Sequence, residues 1–172
     1  MHVRRIIIRR KRLVMKSLGL LAASLLLPAA AEAAVYSFNL GPPGTSQNSA
    51  GYTIRIAGGG TFDTSLGTVL GNGAYSISDP AGKVIERGTW AADSFGSFDP
   101  QGGINNGVQG GELHISITLY PNGGAPKPNM PMTVICPFEN DEGGFNEEND
   151  AVLVGDFAQR IGGITVFHLI AP

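Results

Sequence analysis

Beyond residue 34, apolar and polar positions alternate with a period of two. That spacing sends successive side chains to opposite faces of an extended backbone. The clearest run is 112–120: Leu113, Ile115, Ile117 and Leu119 share one face, and Glu112, His114, Ser116, Thr118 and Tyr120 share the other. Residues 35–40 set Tyr36, Phe38 and Leu40 against Val35, Ser37 and Asn39, and 52–57 set Tyr52, Ile54 and Ile56 against Thr53 and Arg55. Further strands are predicted over 132–136, 151–157 and 164–170. The last is apolar almost throughout and is therefore expected to be buried on both faces, away from a sheet edge. A short strand at 60–63 continues the second, with Gly58-Gly59-Gly60 as a bulge or bend.

Strands at 74–78 and 83–91 flank Asp79-Pro80-Ala81-Gly82, a hairpin turn in which Pro presets φ and Gly accepts φ above zero. The stretches 41–49, 65–73, 99–111, 121–131 and 139–150 are turn-rich connections. No segment has capped helical periodicity, and glycine is too frequent for one, costing about 1 kcal/mol against alanine inside a helix. About eight short strands with glycine-rich turns predict an all-β domain, a single antiparallel β-barrel, with a two-sheet β-sandwich as the alternative.

The first 33 residues read differently. Seven basic residues precede a short apolar core at 18–27, Pro28 breaks it, and Ala31-Glu32-Ala33 provides a small-x-small cleavage pattern. Residues 1–33 are thus expected to be a signal peptide and 34–172 a secreted or periplasmic domain, whose translation starts at Met1 or at Met15. The apolar run is about ten residues, against roughly 20 for a bilayer span, so no membrane span is expected after cleavage. Removing the leader changes the charge. Of 12 basic and 14 acidic residues, seven and one lie in it, so the remainder carries five against 13 and a formal charge of -8. An acidic domain excludes nucleic acid as a partner.

Candidate chemistry is sparse. The glycine clusters match no phosphate loop, no serine sits in a nucleophile elbow, and the single cysteine forms no internal disulfide. Cys136 ends an apolar strand with no basic neighbour to lower its pKa, and reads as a buried apolar residue. His114 belongs to a polar strand face. His168, on a face with Ile164, Val166 and Ile170, reads as a core histidine or as a polar group lining a pocket. On 83–91, Val84, Glu86, Gly88 and Trp90 share a face; if Trp90 points inward so does Glu86, with Arg55 as one possible partner. His168, Trp90 and Glu86 are the candidate ligand-binding residues. Six acids within 139–150 suit hard-cation chemistry, but the spacing fails the EF-hand template, so a solvated loop is expected and no metal or cofactor.

These features describe an exported non-enzymatic β-domain that binds a small ligand or an extracellular partner, or serves a surface-structural role. Two alternatives fit the same composition. One is a barrel-pocket isomerase or cyclase acting on an apolar substrate. The other is a calcium-dependent carbohydrate-binding module using the acidic loop.

Overall fold

A computed structural model describes residues 34–139, 144–145 and 150–172, and these form strands and turns with no helix. Strands β1 (Val35–Gln47), β2 (Thr53–Asp63), β3 (Thr68–Ser78), β4 (Val84–Asn105), β5 (Val108–Pro121) and β6 (Lys127–Cys136) are successive antiparallel neighbours. After them, β7 (Phe138–Glu139) and β8 (Gly144–Phe145) make a separate two-stranded pair. The main sheet is extended by β9 (Ala151–Val154) beside β6 and β10 (Gln159–Gly162) beside β1. Finally β11 (Thr165–Ala171) pairs with β1 on one side and β5 on the other. The sheet therefore closes partly into a ring, β1-β2-β3-β4-β5-β11. At the opposite end no ladder joins β9 to β10 among the described residues.

Alternation places the core where the sequence predicts it. Tyr36, Phe38, Leu40, Ile54, Ile56, Leu113, Ile115, Ile117 and Leu119 are all buried, with Met132, Val134, Val152, Val154 and Phe167 beside them. Tyr36, Phe62, Phe95, Phe98 and Phe167 form an aromatic cluster with centroid separations of 4.9–6.0 Å. The glycine content follows from these large side chains. Across the strands Phe38 lies opposite Gly60, Tyr75 opposite Gly88 and Trp90 opposite Gly73. A small barrel has little internal width, and setting each ring against a bare backbone is what lets it fit.

The strands are longer than alternation alone predicts, and there are nine in the main sheet. Residues 99–111, expected to be a connection, are the tip of a hairpin: Asn105 pairs with Val108 around Asn106 (φ 50°) and Gly107 (φ 79°). Asn-Gly is favoured at such two-residue turns because both positions need positive φ. β2 runs through Gly58-Gly59-Gly60 without a register shift against β3, but against β1 the register shifts between Leu40 and Gly44, opposite Gly58 and Ile56, so the irregularity beside the glycines lies on β1. Two further bulges lie on β4, between Ala92 and Ser94 and between Phe95 and Ser97. Each inserts one residue, which turns both Phe95 and Phe98 toward the core and curves the strand around the barrel. The 79–82 hairpin is as predicted: Gly82 has φ 81°, and the Asp79 carboxylate accepts the amides of Ala81 and Lys83.

β11 is internal to the sheet, but only one of its faces is buried. Thr165 and Phe167 are buried while His168 and Ile170 are exposed, the reverse of the face predicted from Ile164, Val166 and Ile170. Phe167 is the largest side chain on the strand, and its place in the aromatic cluster sets the orientation.

Candidate functional site

Glu86, Gly88 and Trp90 share one face of β4, as their spacing predicts, and the burial of Trp90 and Gly88 shows that this face is the inner one. Trp90 is 1% exposed, and its indole Nε1 donates to the Ala57 carbonyl at 3.0 Å. It is a packed core residue with a satisfied polar atom, so it offers no wall to a ligand. Glu86 lies four residues before Trp90, nearer the end that carries the β1–β2 and β3–β4 turns, and it is partly accessible. Its partner is Lys127, whose Nζ donates to both carboxylate oxygens at 2.7 Å, and not Arg55, which is exposed. The Tyr75 hydroxyl donates to Glu86 Oε1 at 2.8 Å. His168 is exposed on the outer face between Ser37 and Val108, so it shares no pocket with Trp90.

Burial acts to raise the Glu86 carboxyl. The hydrogen bonds from Lys127 and Tyr75 and the Lys127 charge outweigh it and hold the group below the usual carboxylate range. Burial, then the Glu86 hydrogen bond and charge, push the Tyr75 phenol well above its ordinary value. A depressed carboxylate gives stability that is present above its unfolded pKa and lost as pH falls through the folded value. Glu86→Gln is therefore expected to cost about 1 kcal/mol at neutral pH. Thermal melts from pH 7 to pH 2.5 should show the gap to the parent closing below the ordinary carboxylate pKa of 4.5. A gap that persists in acid would show that the charge of Glu86 is not what stabilises.

Cys136 is buried, and burial followed by the nearby Asp150 charge raises its thiol to about 11. It stays protonated at neutral pH and is no nucleophile. On the outer face of β5 and β6, His114 Nε2 lies 3.1 Å from Glu112 Oε1, and His114 Nδ1 lies 3.2 Å from Thr133 Oγ1. This hydroxyl–imidazole–carboxylate chain has the order of a nucleophile, base and orienting acid. However, Thr133 lies within the span of β6 paired on both sides, by β5 and β9, so neighbouring amides are engaged in ladders. Neither cavity described below is lined by any of the three residues. The arrangement is a cross-strand polar network on the outer face of the sheet.

The residues that do form a concavity escape the sequence reading. A cleft of about 630 Å³ lies between the β1–β2 turn and the β9–β10 turn, lined by Gln47, Asn48, Ser49, Asp156 and Gln159 with Gly155 and Ala158. Gln47 and Gln159 are directly opposed in the β1–β10 ladder, which brings two amide side chains together. The Asn48 carboxamide oxygen accepts the amides of Ala50 and Tyr52 and rigidifies one wall. The other wall is a two-residue turn in which Phe157 N donates to Val154 O at 2.9 Å, with Gly155 at φ 53°. The only sequence signal for it is the pair of short polar turns, because β10 carries no alternation.

Among the described residues no group of three His, Cys, Asp or Glu side chains converges on a metal position. Residues 140–143 and 146–149 of the acidic loop, on which the calcium reading rests, lie outside the described residues. No family model, no curated protein and no solved structure matches this chain.

Proposed function

We propose that this protein is an exported, non-enzymatic β-domain that binds a neutral, hydroxyl-rich ligand of saccharide size in the cleft between the β1–β2 and β9–β10 turns. The observation that carries this reading is the lining of the cleft. Two opposed glutamines, an asparagine, a serine and a carboxylate supply both donors and acceptors, and none of them forms a nucleophile–base pair. Polyhydroxylated ligands are recognised by such mixed amide and carboxylate sets. The leader pattern and the acidic charge of 34–172 support export and solubility outside the cell. The buried Trp90 and the aromatic-filled interior favour binding at the rim over an apolar-substrate enzyme working inside the barrel.

The test is calorimetric titration of the intact chain with a panel of neutral mono- and oligosaccharides. At least one should bind saturably and be recovered chemically unchanged. Asp156→Ala and Gln159→Ala, both at exposed positions, should each weaken binding about tenfold with unchanged melting temperature. Absence of saturable binding across the panel, or binding indifferent to both substitutions, overturns the proposal. Mass spectrometry of the exported protein should place its N-terminus at Ala34.

A further inference from the structure

On the outer face of the sheet the ladders line up Thr45, Arg55, Ser76 and Arg87 on four adjacent strands. Directly paired residues point to the same side, so the two guanidinium groups flank the Ser76 hydroxyl. Strands lie about 4.8 Å apart, which sets the arginine Cα atoms about 10 Å from each other, within reach of one small group held between two long side chains. Neither arginine has a carboxylate within ion-pair distance among the described residues, where the two ion pairs are Glu112 with His114 and Glu86 with Lys127. The flanking outward positions Thr53, Ala57, Ala74, Ser78, Ile85 and Thr89 carry no acid. This is notable in a region with 13 acids and five bases after residue 33. Among the described residues, two of those five bases stand one strand apart with no carboxylate partner, at exposed positions where like charges repel. Beside them a shallow cavity of about 230 Å³ is bounded by Pro43, Arg55, Ala57, Ala74, Tyr75 and Ser76.

We infer that Arg55, Ser76 and Arg87 form a binding site for one oxyanion group, a sulfate, phosphate or carboxylate. The guanidinium forks donate paired hydrogen bonds from both sides and the Ser76 hydroxyl donates a third. The small residues Ala57 and Ala74 leave the approach open, and Pro43 walls one side. The domain as a whole repels anions, so the site selects by local geometry and not by long-range attraction. The group arrives either as a free ion or carried on an acidic oligosaccharide. The inference does not depend on the rim cleft, which is lined by different residues.

The experiment is a ¹⁵N–¹H NMR titration of the intact chain with sodium sulfate, sodium phosphate and a uronate oligosaccharide, at constant ionic strength. The expected result is saturable shifts centred on Arg55, Ser76 and Arg87, with one anion per chain. Arg55→Gln and Arg87→Gln should each weaken binding at least tenfold and together abolish it, while Lys83→Gln, a nearby exposed cation, should leave it unchanged. All three positions are exposed, so the melting temperature should hold in each variant. Tighter binding of the oligosaccharide than of the inorganic ions identifies a carried group, and equal or weaker binding identifies the free ion. No saturable shift with any of the three, or binding that survives the double substitution, overturns the inference.

Discussion

Trp90→Ala is expected to lower the free energy of unfolding by about 4 kcal/mol, within the 3–5 kcal/mol typical of a fully buried large aromatic. The indole is 1% exposed, lies opposite Gly73 on one side and Leu119 on the other, and reaches over the Gly71 backbone. Glycine neighbours cannot move side chains into the space it leaves, so the cavity persists. The hydrogen bond to Ala57 is lost as well. Urea unfolding at neutral pH should give a reduced midpoint with an unchanged m-value. Because this is the only tryptophan in the chain, its fluorescence gives an independent check on the parent. Emission should be blue-shifted and resistant to acrylamide quenching. A quenchable tryptophan, or an alanine variant within 1 kcal/mol of the parent, would return Trp90 to the list of ligand-facing residues.

Much of the fold is legible where each residue pair has one apolar and one polar member. In 112–120 and 35–40 that contrast fixes which face is buried. It weakens where glycine replaces one member of the pair: at 58–60 and 71–73 the chain continues as strand although the pattern is lost, because the side chains filling that space belong to neighbouring strands. It misleads on β11, where His168 sits among aliphatic residues and alternation alone cannot tell which face wins. The decision belongs to Phe167 and to aromatic partners distant in sequence. The bulges on β4 are equally silent, since an inserted residue reveals itself only through the partner strand.

The candidate site shows the same division. Counting in twos puts Glu86 and Trp90 on one face, but that this face is the inner one comes from the packing of Trp90. Yet the partner of Glu86 comes from β6, 41 residues away and beyond the intervening β5, through a register that no local pattern announces. The cleft and the arginine pair likewise depend on register. Gln47 meets Gln159 and Arg55 meets Ser76 only once the ladders are set, and no residue in either group stands out in its own stretch of sequence.

The strongest test of that packing logic is Gly60→Ala, the smallest substitution available. Gly60 has an unremarkable backbone conformation, so any cost is steric. An added methyl would run into the Leu70 carbonyl oxygen, lie 2.6 Å from the Gly71 Cα and 2.8 Å from the Phe38 ring. Two of those neighbours are backbone held in the β2–β3 ladder, so relief requires strand separation and not a rotamer change. The expected loss is about 3 kcal/mol, the upper end for overpacking a tight core. Gly162→Ala is the matched control, because nothing lies within 4 Å of a methyl there. It should leave stability unchanged to within about 0.5 kcal/mol. If Gly60→Ala proved as neutral as Gly162→Ala, the close pairing of aromatic rings with bare backbone would not be what holds this barrel together. The glycine content would then need an explanation outside the core.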